Sequence, residues 1–340
     1  MHSFSKIRSC AASILYIVIF HTIMLNRRHL RVKVLQCLYA FFMTDNKDLA
    51  AGEKELMQAI DKVYDMYLYQ LLLLVELQEQ ELLSHDDKRR KHLPSGDDLN
   101  PNRRFVDNQC LTMLAGSESL KKFCKNRSIH WDQERDLVRR LMIQIKQQAY
   151  YQEYMKSDEG SLADDTRFVL KMMKKDILPF EQLHAFYEEK SIYWIDDWEL
   201  VNKMIFKTLK QAVDKGGDLV LMDLFKDASD EEFAKKLYHK TIINHDYFDD
   251  IISAKTKNWD VERIAFMDMI IMEMALTEIL KFPEIPVKVS LNEYIELSKM
   301  YSTPKSKVFV NGVLDKLVEE FVQKKMINPY TSGFSGEASE

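Results

Sequence analysis

Apolar residues recur every three or four positions from Trp259 to Phe321, and this spacing most limits what the chain can fold into. Ile264, Met267, Ile271, Met274 and Ile279 form one series. Val289, Leu291, Ile295 and Leu297 form a second, and Phe309, Val310, Val313, Leu314 and Leu317 a third. The first series has the three-to-four-residue spacing of one helix face, and all three stretches read as helical patterns. Pro283, Pro286 and Pro304 separate the three, where a helix can start but not continue. The rest of the chain agrees, since only 9 Gly and 7 Pro occur in 340 residues. So few turn formers among many Leu, Met, Lys and Glu predict an all-α fold.

Several function classes drop out. The formal net charge is −5, so no global basic field attracts nucleic acid, and any such site must be a local cluster. Cys10, Cys37, Cys110 and Cys124 form no C-x-x-C pair and no metal spacing. They read as free thiols of a cytoplasmic protein in a reducing compartment. Glu293 and Glu296 lie on one helix face, but no nucleophile, metal spacing or phosphate loop accompanies them. A Glu296–Lys299 surface pair is the simpler reading, and no catalytic residue, metal or cofactor is expected.

Residues 1–23 form a doubtful leader. Lys6 and Arg8 precede an apolar run from Ala11 to Phe20, as in a secretory signal. No small-residue cleavage site follows, and the run is short for a membrane span. Met24 reads as the natural start, with a membrane anchor the alternative and no membrane association expected.

From Asn26 the chain reads NRRHLRVKVLQCLYAFFM, with Leu30, Val34, Cys37, Leu38 and Phe41 as the buried stripe. Arg27, Arg28, Arg31 and Lys33 crowd the first turns. Cations at a helix N-terminus oppose its dipole, and an arriving phosphate would relieve this while meeting free N–H groups. A second long helix is expected over 47–83, with the apolar run Leu71–Val75 inside a bundle. Residues 84–104 read as a linker, and the basic run Lys88–Lys91 as an ordinary solvated loop.

A repeat follows. Phe105 to Trp131, Phe168 to Trp194 and Phe233 to Trp259 are equal in length and align without gaps. Leu114, Ile177 and Ile242 share a column, as do Leu120, Leu183 and Phe248, and Phe123, Phe186 and Ile251. Ser128, Ser191 and Thr256 precede each Trp by three positions. Asp132, Asp196 and Asp260 follow and are candidate caps for the next helix. The Trp side chains are expected as apolar wedges between helices. Lys215–Gly216–Gly217–Asp218 breaks the chain between the second copy and the third, and Ala228–Ser229–Asp230 caps the helix beyond.

Two strings carry a family likeness: V-x-L-N-E-x-I-E-L-S-K at Val289–Lys299 and S-x-x-F-V-N-G-V-L-D at Ser306–Asp315. Together they resemble the C-terminal signature of the NusB family of antitermination factors. Gln36–Tyr39 matches the Q-x-L-Y end of that family's arginine-rich first helix. Asp268, Ala275 and Glu278 also match family positions, whereas Met269 and Glu273 stand where arginines are common.

The resemblance implies an all-α, NusB-like helical bundle, here with an inserted, repeated helical segment. It implies an RNA-binding transcription antitermination factor of ribosomal RNA operons. Such a factor binds boxA-like RNA together with the NusE small-subunit ribosomal protein on the RNA polymerase elongation complex. Arg27, Arg28, Arg31 and Lys33 would contact RNA from the first helix. Lys305, Ser306 and Lys307 would do so from the start of the last helix, with Thr303 as its cap. Val308 stands where a basic residue usually precedes the signature Phe. The alternatives are a relative of the RNA-binding domain of ribosomal RNA methyltransferases, or a helical protein-interaction scaffold. Within the family reading, Asn311 is expected to bond a neighbouring backbone and Gly312 to permit close helix packing. The domain reading is a leader at 1–23, the first helix, long helix and linker at 24–104, two repeat units at 105–230, a NusB-like domain at 231–328 and a disordered tail at 329–340.

Overall fold

In the computed structural model the residues described are 23–44, 47–158, 160–256 and 265–328. The proposed leader before Ile23, Cys10, Trp259, Asp260, Ile264 and the tail after 328 lie outside them. The described residues form helices with no extended strand. In chain order these begin with α1 (Arg27–Met43), α2 (Leu49–Arg89), α3 (Gly96–Leu99), α4 (Gln109–Gly116) and α5 (Glu118–Asn126). Then come α6 (Arg135–Lys146), α7 (Ala149–Lys156), α8 (Leu162–Met172), α9 (Glu181–Lys190) and α10 (Trp198–Asp214). The last are α11 (Ala228–Ile243), α12 (His245–Thr256), α13 (Phe266–Lys281), α14 (Val287–Tyr301) and α15 (Ser306–Gln323). No helix among the described residues is long and apolar enough to cross a membrane.

The chain divides into two compact units. A signature unit contains Leu25–Tyr64 and the described residues from Asp227 onward; a middle unit contains Asp65–Lys226 with Ile23 and Met24. The region 24–104 is therefore shared between the units, with the residues of α2 divided at Tyr64. The first helix belongs with the last ones because its stripe is apolar: Leu30, Val34 and Leu38 are fully buried and Cys37 and Phe41 nearly so. In the signature unit α1 packs on α11 and α13, and α13 packs on α14 and α15. Burial of these faces supplies the main driving force.

In the middle unit the helix α2 runs on to Arg89, through residues expected in the linker, and Leu71, Leu73 and Leu74 are fully buried. The Ser84–Arg89 segment stays helical because His85 is buried there and bonds Glu81 one turn back. Trp131 and Trp194 are both core residues. Each meets Tyr69 of α2 edge-on with ring centroids 5.7 Å apart, and the Trp131 indole N–H donates to the Tyr69 carbonyl. Phe105, Phe168 and Phe233 are buried, as are Leu120, Leu183 and Phe248, whereas Phe123 is exposed.

The polar positions of the alignment behave differently from copy to copy. Ser128 adopts a left-handed turn at φ 53°, Ser191 accepts from the Tyr193 N–H, and Thr256 donates to the Ile252 carbonyl. Asp132 pairs with the Arg135 side chain instead of capping α6, and Asp197, not Asp196, begins α10 without a side-chain cap bond. Asp227, one residue before the expected site, caps α11 through the Ser229 N–H. The break after α10 turns through Gly216 and Gly217 at φ 69° and 99°, where side chains are strained. Burial pushes the Cys37 thiol up to about 12 and those of Cys110 and Cys124 to about 11, which favours the protonated thiol over the thiolate in all three.

Candidate nucleic-acid interface

The start of α1 is closed by Asn26 and His29. The Asn26 Oδ1 accepts from the His29 N–H at 3.2 Å, and His29 Nδ1 accepts from the Asn26 N–H at 3.2 Å. The three arginines that follow have three different environments. The Arg27 Nε lies 3.4 Å from Asp230 of α11, and its guanidinium sits over the Phe233 ring. Arg28 makes a bidentate pair with Glu293 of α14 at 2.7 and 2.8 Å, and its side chain is 53% exposed. Arg31 points inward and makes a bidentate pair with Glu278 of α13, again at 2.7 and 2.8 Å. Lys33 is buried as well.

The charge conflict expected at this helix start is therefore met from within the protein. Asp230, Glu293 and Glu278 supply the anions that the dipole argument assigned to phosphate. Burial alone would lower the Arg31 pKa, but its hydrogen bonds to Glu278 and the charges of Glu278 and Glu293 raise it, so it stays a cation. Ser290 and Tyr294 of α14 also donate to Glu278, at 2.7 and 3.0 Å. This buried carboxylate thus has four donated bonds and joins three helices. Arg31 and Lys33 belong to the interior and are not presented to solvent: Arg31 faces Glu278 of α13, and Lys33 is 2% exposed.

The start of α15 is built around Ser306. Its hydroxyl donates to Asp268 of α13 at 2.7 Å and accepts from the Thr303 N–H at 3.2 Å, and its own N–H donates to the Thr303 carbonyl. Ser306 is buried, so it positions the turn and does not face outward. Thr303 does not cap α15; Lys305 precedes the helix without a side-chain cap bond. Lys305 and Lys307 are exposed on either side of Ser306. Further along, Asn311 donates to Asp315 one turn on instead of to backbone, and the space a Gly312 Cβ would enter is open.

The charges of both helix starts act on one carboxylate, Glu296 of α14. The Lys299 bond foremost, then the charges of Lys299, Arg28 and Lys307, hold the Glu296 carboxyl below its ordinary value. Arg28 does the same for Glu293, chiefly through its hydrogen bonds, with Arg31 and His29 adding to it. Arg28 thus bonds α14 through Glu293, and its charge and that of Lys307 both act on Glu296, although the two are far apart in sequence. The acidic partners Asp230, Glu278 and Glu293 were not legible as partners. Opposite charges in the sequence signal pairing only within a helical turn.

A model of the "NusB family" matches residues 192–319. A curated protein of Salinibacter ruber named transcription antitermination protein NusB is 38% identical over 141 residues, covering 39% of this chain and 88% of the relative. The chain belongs to the NusB family. NusB proteins of Chloroherpeton thalassium and Dictyoglomus turgidum are 35% and 38% identical, over 36% and 32% of this chain and 59% and 73% of their own lengths. No solved structure matches.

The NusB-like positions on α13 take structural parts in this chain. Glu278 holds Arg31, and Asp268 holds Ser306. Glu273, where the family commonly has a basic residue, is buried and accepts from His245 of α12 at 2.9 Å. That bond raises the His245 pKa, while burial raises that of Glu273. The His245 ring in turn stacks on Phe42 with centroids 4.4 Å apart.

Proposed function

We propose that this NusB-family protein is a transcription antitermination factor that binds boxA-like RNA with the NusE ribosomal protein. It acts on the RNA polymerase elongation complex in ribosomal RNA operons, in a bacterial cytoplasm. What supports this reading is that the charges of Arg28 and Lys307, from two helix starts, both act on Glu296 of α14. Arg28 is exposed at the start of α1, and Lys305 and Lys307 are exposed at the start of α15. Mechanistically the protein binds and does no chemistry. Exposed Arg28, Lys305 and Lys307 anchor phosphates, while bases splayed across the helices supply sequence preference. Arg27, half covered by Asp230 and Phe233, is a secondary contact. Arg31 and Ser306, bonded to Glu278 and Asp268, fix the two helix starts, while Lys33 is buried. The repeated helices of the middle unit enlarge the surface offered to partners.

Filter binding to a boxA-containing RNA at two salt concentrations, with and without NusE, tests the reading. Changing Arg28, Lys305 and Lys307 together to Ala should weaken binding at low salt. It should also reduce the salt slope by about two to three counterions. An unchanged slope, or no affinity for the RNA under either condition, overturns the proposal.

A further inference from the structure

The middle unit contains a cavity of about 560 Å³ between α2, α6 and α7, lined among others by Glu81, His85, Lys88, Lys146, Tyr151 and Lys156. Nothing in the family reading uses it. Glu81 and His85 stand one turn apart on α2, with His85 Nε2 3.1 Å from Glu81 Oε1, and Lys146 pairs with the other Glu81 oxygen. Burial lowers the His85 pKa, so the ring is neutral with its proton on Nε2, facing the carboxylate. Its Nδ1 is then a bare acceptor. That atom and the Tyr151 hydroxyl are both buried and have no hydrogen-bond partner among the described residues. Buried polar groups are normally satisfied, and two orphans lining one cavity point to a missing partner.

The charges narrow the partner's chemistry. Lys146 neutralises Glu81, which leaves Lys88 and Lys156 on the wall against the single carboxylate of Asp97. Neither lysine has an ion-pair partner among the described residues. A second cavity of about 400 Å³, which shares Asn102 and Met155 with the first, adds Arg103 and Arg104, though each already faces an Asp. The volume suits a molecule of nucleotide size.

We propose that this cavity of the middle unit binds a small phosphate monoester. Lys88 and Lys156 hold its phosphate. The His85 Nδ1 accepts from a hydroxyl or amine of the ligand, and the Tyr151 hydroxyl donates to one of its oxygens. The proposal is independent of RNA binding by the signature unit, and its residues lie outside that face.

Calorimetric titration of the full chain with AMP, UMP, ribose 5-phosphate and inorganic phosphate tests it. At least one monoester should bind with a Kd of about 1 mM or tighter. Inorganic phosphate should bind about tenfold more weakly, because it lacks the group that reaches His85. The Lys88→Ala/Lys156→Ala variant should lose about tenfold or more in affinity. Tyr151→Phe, which keeps the ring and its packing, should lose about three- to tenfold. Both variants should melt near the parent temperature, since the lysines are outside the core and the Tyr151 hydroxyl bonds no described residue. Failure of every monoester to bind, equal affinity for inorganic phosphate, or unchanged affinity in the double-lysine variant overturns the proposal. Binding of long RNA at this cavity without any monoester binding overturns it too.

Discussion

Arg31 and Glu278 form a bidentate ion pair inside the signature unit, 247 positions apart in sequence, with side-chain exposures of 4% and 0%. The pair ties α1 to α13, and Ser290 and Tyr294 bring in α14. An arginine that reads as an RNA contact from its place in a basic helix start is therefore the partner of a buried carboxylate. Removing one member leaves the other charged and desolvated. Arg31→Ala should destabilise the protein by about 3–5 kcal/mol in urea unfolding. Arg31→Met combined with Glu278→Gln should recover much of that. A variant that unfolds at the parent urea midpoint would show that the pair does not hold these helices.

On the proposed function, Glu293 competes with RNA for Arg28. The pair is largely exposed on the arginine side, so it is worth about 0.2–1 kcal/mol. Glu293→Gln keeps the shape and frees the guanidinium, and affinity for boxA-like RNA should rise about two- to fivefold. A fall in affinity with stability intact would mean that Glu293 positions Arg28 for RNA instead of withholding it.

Gly312 lies within α15 with open space at its Cβ position. Gly312→Ala should raise stability by about 0.5–1 kcal/mol, read as a higher melting temperature, because alanine favours the helix and meets no clash. A lower melting temperature would contradict the open space.

His245 should titrate above its ordinary 6.5, and Glu273→Gln should bring it back to 6.5 or below, in NMR of the ring protons. The folded pKa exceeds the unfolded one, so the fold binds this proton more tightly. The bond's contribution to stability is complete below pH 6.5 and is lost as pH rises through the elevated folded value. A His245 midpoint insensitive to Glu273→Gln would remove the bond from the account.

Much of the fold was legible because helices are local. Three- and four-residue apolar spacing placed the buried stripe of α1 and much of the cores of α13 and α15, and Leu30, Val34, Val310 and Leu314 are buried as that spacing requires. In α14 the expected series fails: Val289 is exposed, Leu291 and Ile295 are half-buried, and Tyr294 and Leu297 with Ser290 and Ser298 form the buried face. Helix ends were read less well. The cap at Asp227 and the start of α15 at Ser306 depend on which donor reaches which acceptor, a matter of ångströms that composition does not encode. Gly312 was expected to allow close packing, yet no neighbour approaches it. The scarcity of glycine in helices invites a packing reason that only the surrounding helices can supply.

The start of α15 returns to the family signature with its parts reassigned. By itself the sequence determined an all-α chain of NusB type and two clusters of cations, at Arg27–Lys33 and Lys305–Lys307. These follow from periodicity and residue identity, which neighbours along the chain carry. Only the tertiary structure decided which cations face water. Arg28, Lys305 and Lys307 remain at the surface, whereas Arg31 and Lys33 are buried and Ser306 holds Asp268. The physical reason is that burying a charge requires a carboxylate within hydrogen-bond reach. Glu278 reaches Arg31 only because α1 and α13, remote in sequence, pack side by side.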